Sequence, residues 1–151
     1  MLIDIANLDS GVVLLTGDAK RIGRAFMKAW LSRGMTFLAE ALPFPLEGFE
    51  ENVFIGSPFE GYTFDGYLIV DPLSRPKGER SKLYTWLKET ERLVLLYERK
   101  YVGSSITRYA LRNFIDYLVA YKRETLGFER VEVYRFEEGR VVERKTYVRR
   151  T

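Results

Sequence analysis

The 151-residue chain contains no cysteine, no histidine and, on inspection, no glutamine. Without cysteine there is no disulfide framework, no thiolate metal site and no cysteine nucleophile. Without histidine a Ser-His-Asp triad cannot be assembled, and the commonest general base and metal ligand is missing. Asparagine occurs only at positions 7, 52 and 113. Few thermolabile amides and thiols, with 30% charged residues, is the composition of hyperthermophile proteins. No apolar run approaches the roughly 18 residues of a membrane span. The first ten residues carry Asp4 and Asp9 and no basic run, so no signal peptide is expected and the expected location is cytoplasmic.

What is present is a core-forming composition. Hydrophobic residues make up 46% and aromatics 15%, which excludes disorder and fits one α/β domain spanning residues 1–151. Charge is uneven. Residues 1–75 hold 6 Lys+Arg against 10 Asp+Glu, and residues 76–151 hold 18 against 11. A basic C-terminal half is compatible with nucleic acid or an acidic partner. Glutamates interspersed through it point more simply to a solvated surface.

Val12–Thr16 is a continuous apolar run, as in a strand buried on both faces of a parallel sheet. A helix follows, with Ile22, Phe26, Ala29, Trp30 and Met35 near one stripe and Gly34 as its stop. Further strands are expected at Thr36–Leu42, Asn52–Ile55, Tyr67–Val70 and Arg92–Tyr97, with a helix over Ser81–Glu91. Strands interleaved with helices indicate an α/β layered sheet. Over 104–126, Ile106, Ala110, Phe114, Tyr117, Leu118 and Tyr121 recur at three- and four-residue spacings. They predict a helix closed by Gly127, although 114–121 is also rich in strand formers. Alternating residues on either side of Glu137-Glu138-Gly139 predict a β-hairpin over 131–149.

The connection after Val12–Thr16 is the stretch closest to chemistry. A strand, a glycine turn and a helix present backbone N–H groups and a helix N-terminus to a phosphate. The candidate binding residues are Gly17, Asp18, Lys20, Arg21, Gly23 and Arg24, with Asp71 at the end of the strand Tyr67–Val70. The ligand they would take is a nucleotide or another phosphate-like anion. A plain strand-to-helix turn is the competing reading.

The stretch resembles the P-loop G-x-x-x-x-G-K-[ST], with Gly17 and Gly23 separated by five residues, Arg24 in place of the lysine and Ala25 in place of the hydroxyl residue. TGDAKRIGRA is also similar to the dinucleotide turn of short-chain dehydrogenases, through Thr16, Gly17, Ile22 and Gly23, and Tyr84 and Lys88 have the spacing of that family's Tyr-x-x-x-Lys pair. Taken with YLIVDPLSR, LVLLYE at 93–98, YKRE at 121–124 and YRFEEGRVV at 134–142, the chain resembles a shortened, degenerate RecA/KaiC-like ATPase. That resemblance implies a three-layer fold with a mostly parallel central sheet and a C-terminal β-hairpin, with residues 114–124 as a strand. It also implies Asp71 in the place of a magnesium-holding carboxylate and Glu40 near that of a catalytic glutamate.

Without the P-loop lysine and hydroxyl, the stabilisation of phosphoryl-transfer charge is missing. The expectation is therefore a non-catalytic interaction or regulatory module, with a protein partner that is either a second copy or another chain. The alternatives are a small nucleotide- or dinucleotide-binding enzyme or sensor, and a nucleic-acid-binding protein acting through the basic C-terminal half.

Overall fold

The computed structural model describes residues 1–124 and 127–150. Among these the chain builds one eight-stranded mixed sheet in the order β3-β2-β4-β5-β1-β6-β7-β8. The strands are β1 (Gly11–Thr16), β2 (Phe37–Ala39), β3 (Val53–Ile55), β4 (Gly66–Val70), β5 (Leu93–Glu98), β6 (Tyr117–Arg123), β7 (Phe128–Glu137) and β8 (Arg140–Arg150). Strands β1 to β6 are mutually parallel, and β7 and β8 join them by antiparallel pairing. The helices are α1 (Leu2–Ala6), α2 (Lys20–Leu31) and α3 (Lys77–Glu89).

The continuous apolar runs become the buried centre of the sheet, because alternate residues of one strand enter different cores. Val13 and Leu15 of β1 and Leu93, Leu95 and Tyr97 of β5 pack with Phe26, Met27 and Trp30 of α2. Val12, Leu14, Val94 and Leu96 face the opposite way, against Leu83 and Leu87 of α3. Trp30 is fully buried. Its ring stacks on Phe26 and on Phe37, both at 5.8 Å between centroids, and its Nε1 donates to Ile5 O at 3.1 Å. One side chain thus ties α1, α2 and β2 together.

Several expected elements shift. The strand foreseen over Thr36–Leu42 is only Phe37–Ala39; Pro43 and Pro45 cannot donate to a ladder, and Leu42 is already exposed. The helix expected from Ser81 begins at Lys77 and ends at Glu89.

The helix over 104–126 is not formed. Two 3₁₀ turns, Ser104–Arg108 and Ala110–Phe114, lead into β6, and positions 125 and 126 lie outside the described residues. The spacing that imitated a helix arises because Ile106 and Leu111 cap one core from the turns. Leu118 and Ala120 of β6 enter that same core, whereas Val119 enters the other. Tertiary placement between β1 and β7 overrides the local pattern. The hairpin forms as expected, its turn carrying positive φ at Glu138 (51°) and Gly139 (77°), which suits a tight reversal. Among the described residues no helix is long and apolar enough to cross a membrane.

Candidate functional site at the carboxyl ends of β1, β4 and β5

Parallel pairing brings the last residues of three strands to one end of the sheet, with Thr16 beside Glu98 and Val70 beside Tyr97. Ligands of open α/β sheets bind outside such carboxyl ends. Each of these strands runs straight from apolar residues into a charged or turn segment: Gly17-Asp18 after β1, Asp71 after β4, and Glu98-Arg99 at the end of β5.

Gly17 adopts φ +97°, and its N–H donates to Glu98 O at 3.1 Å. A Cβ built here would sit 2.0 Å from Tyr121 O. The position admits only glycine because the β6 backbone passes directly over it. Asp18 also lies at positive φ (55°), and its Oδ1 accepts from the Tyr97 hydroxyl at 3.3 Å. Burial, with Asp18 beside it, pushes the Tyr97 phenol well above its ordinary range. The Thr16 hydroxyl is fully buried, donating to Val102 O at 2.7 Å and accepting from Val102 N at 3.2 Å.

From Asp18 the chain enters α2. Gly23 N bonds Ala19 O at 2.9 Å, while the N–H groups of residues 18–22 find no acceptor among the described residues. Gly23 is buried beneath Phe44, whose ring would lie 2.7 Å from an added Cβ. Lys20 and Arg24 are exposed and form no ion pair among the described residues. Arg21 is committed elsewhere, donating to Glu129 of β7 at 2.6 Å.

Asp71 is committed as well. It occupies φ +51° and receives the Arg99 side chain, with Arg99 Nε at 3.0 Å from Oδ2 and a second contact from Arg99 Nη2. Arg99 N adds a bond to Oδ1 at 3.2 Å. The Arg99 hydrogen bonds hold the Asp71 carboxyl below its ordinary value of 3.8, against a smaller opposing effect of desolvation. Glu98 is 1% exposed and is used structurally. Its carboxylate accepts from Leu73 N at 2.9 Å and Lys100 N at 3.1 Å. Glu40 forms an ion pair with Arg75 and accepts from Val70 N at 3.1 Å.

A depressed carboxyl pKa stabilises the fold above the unfolded value and withdraws that contribution as pH falls through the folded value. The pair is solvent-exposed on the arginine side, so screening keeps its effect on stability small. The Arg99→Ala variant is expected to return the Asp71 pKa upward toward 3.8, read by carbon-detected NMR titration of the side-chain carboxyl. An unmoved Asp71 titration would show that Arg99 does not set it.

The structure therefore gathers Gly17, Asp18 and Asp71 at one end of the sheet. It leaves Lys20 and Arg24 free at the start of α2, buries Gly23, and turns Arg21 toward β7. Sequence reasoning missed Arg99, Arg75, Tyr97 and Glu129, the groups that occupy the candidates. Arg99 was findable: Glu98-Arg99 follows an apolar run just as Asp71 does.

Tyr84 and Lys88 are not brought to the glycine turn. Tyr84 stacks on Phe114 at 5.0 Å, and Lys88 lines an open cleft of about 1200 Å³ with Ser10, Gly11 and Arg140, at the amino end of β1. This cleft lies at the end of the sheet away from the glycine turn, so its volume does not mark the phosphate-like geometry. Among the described residues no group of three or more acidic side chains is placed to hold a metal ion. No protein-family model matches the chain, and no curated protein matches it.

Proposed function

We propose that the chain is a non-catalytic interaction module on a degenerate RecA/KaiC-like scaffold, three layers deep, with α1 and α2 on one side of the sheet and α3 on the other. The observation that carries this reading is that three of the ionic candidates at this end of the sheet are held in internal ion pairs, while Lys20 and Arg24 form none among the described residues. Asp71 is held by Arg99, Glu40 by Arg75 and Arg21 by Glu129. Phosphoryl transfer needs a lysine on the phosphates, a hydroxyl and a carboxylate on magnesium, and a group that orients the nucleophile. Here the equivalents are absent or spent on internal pairs. The separation of the Asp71 strand from the glycine-turn strand by β5 supports the resemblance in layout, while the side chains argue against turnover.

One observation favours a second reading, that of a nucleotide or anion sensor. The N–H groups of residues 18–22 have no acceptor among the described residues and lie beside the exposed Lys20 and Arg24, and a helix N-terminus attracts anions. Calorimetric titration of ATP with magnesium, and of NADPH, into the wild type and Arg24→Ala separates the two. The module reading expects no micromolar binding to either protein. Micromolar binding that disappears in Arg24→Ala would replace it with the sensor.

A further inference from the structure

The eighth strand forms a long exposed edge of the sheet. β8 runs 11 residues along the end of the sheet, and Val141, Val142 and Val148 are 42%, 44% and 61% exposed. Proteins usually keep such edges short, interrupt them with proline, cover them or load them with charge, and β8 carries charge at Arg140, Glu143, Arg144, Lys145, Arg149 and Arg150. β8 contains no proline, and its one irregularity lies beside the hairpin turn, between Arg135 and Phe136 on the partner strand.

The direction of its free backbone groups follows from its neighbours. Phe136 N donates to Asp116 O, and Glu124 N donates to Phe128 O. The even-numbered residues of β7 therefore direct their peptide groups toward β6, and the odd-numbered ones toward β8. Their partners on β8 are Glu143, Lys145, Tyr147 and Arg149. The N–H and C=O groups of Arg144, Thr146, Val148 and Arg150 consequently point away from the sheet.

We infer that this edge pairs antiparallel with the same edge of a second copy, about a two-fold axis at Thr146, joining two sheets into one. Only registers that set outward residues opposite outward residues form the ladder, and side-chain charge chooses among them. With the axis at Thr146, Arg144 faces Val148 of the other copy, Lys145 faces Tyr147, and Glu143 faces Arg149 twice. The Glu143–Arg149 pair falls at a non-hydrogen-bonded position, where facing side chains approach most closely. With the axis at Lys145, that lysine faces itself and Arg140 faces Arg150. At Tyr147, Arg144 faces Arg150 and Lys145 faces Arg149. At Arg144, Glu143 faces Lys145 twice, but the arginine faces itself. A parallel in-register pairing sets every cation opposite its own copy.

Part of the positive charge is already compensated within each chain. Arg144 pairs with Glu132 at 3.0 Å and lies over the Tyr134 ring, and Glu143 is shared with Arg135 of its own chain at 3.4 Å. A base-paired or single-stranded nucleic acid could meet the remaining cations but cannot satisfy the alternating N–H and C=O groups of the edge. The inference names one partner for the interaction module and rests on that reading, yet the two fail separately. Nucleotide titration tests the glycine turn, and molecular mass tests this edge.

The experiment is sedimentation equilibrium of the full chain and four variants, with circular dichroism checking that each is folded. Wild type is expected to be a dimer at micromolar concentration. Thr146→Pro removes an outward N–H while leaving the bonds from β8 to β7 in place, and should be monomeric. Glu143→Arg and Arg149→Glu each place like charges opposite one another twice, and each should raise the dissociation constant at least about tenfold. The double exchange Glu143→Arg with Arg149→Glu restores opposite charges and should recover wild-type dimerisation to within about threefold. A wild-type monomer throughout the accessible concentration range overturns the inference. So does a dimer that Thr146→Pro leaves intact, or a double exchange no better than the single variants.

Discussion

Replacing Gly17 by alanine should destabilise the protein by about 4 kcal/mol, a large share of the roughly 5–15 kcal/mol that holds a typical domain folded. Two costs act together. The alanine must hold φ +97°, which L-residues rarely adopt and which costs on the order of 1–3 kcal/mol. Its Cβ must also occupy space 2.0 Å from Tyr121 O. That oxygen belongs to the backbone of β6, so it cannot rotate aside as a side chain would, and relief requires the β1–β6 pairing to open at this end. Overpacking of this kind adds about 1–3 kcal/mol. Urea unfolding followed by circular dichroism measures the sum. A loss under about 1 kcal/mol would mean that the turn relaxes freely, and that the close approach of β6 is not what selects glycine.

Removing the Trp30 side chain should cost about as much, 3–5 kcal/mol. The indole is fully enclosed, stacks between Phe26 and Phe37 and provides the donor for Ile5 O. Truncation to alanine leaves a cavity under α2 and strips that carbonyl of its partner. Because α1 is only five residues long, it has little helical stability of its own and depends on this contact. Trp30→Ala is therefore expected to lower the global unfolding free energy and also to lose hydrogen-exchange protection first in α1. Uniform loss of protection would show that α1 and α2 unfold as one unit irrespective of the indole.

Much of the sheet was legible because its central strands are buried on both faces. Val12–Thr16, Tyr67–Val70 and Arg92–Tyr97 read as apolar runs, and they became β1 (Gly11–Thr16), β4 (Gly66–Val70) and β5 (Leu93–Glu98). Gly17 and Asp71 lie at the same end of the sheet because each directly follows one of its parallel strands, β1 and β4. β6 was not legible. Its Leu118, Val119 and Ala120 divide between two cores, and in sequence they continue a three- and four-residue spacing set by the preceding 3₁₀ turns. Only the vacancy beside β1 decides that this segment is extended, and local periodicity carries no information about a neighbour 100 residues away.

The candidate site was half legible. Residue types that could meet a phosphate were visible at 17–24, but their engagement was not. Arg21 looked equivalent to Lys20 and Arg24 until the fold carried Glu129 to within 2.6 Å of it. Asp71 looked like a metal ligand until Arg99 arrived from β5. Long-range ion pairs of this kind join residues 108 and 28 positions apart, and neither spacing nor composition announces them. What remains uncommitted at the site is the pair of exposed cations Lys20 and Arg24, beside N–H groups of residues 18–22 that have no acceptor among the described residues.

The central proposal is that the chain does not turn over nucleotide, with Asp71, Glu40 and Arg21 at this end of the sheet held in internal ion pairs. Magnesium-ATP added to the intact protein in a calorimeter, with phosphate release followed in the same sample, tests it most directly. The account predicts neither micromolar heat of binding nor magnesium-dependent release. Tight binding with turnover, both abolished by Arg24→Ala, would contradict it.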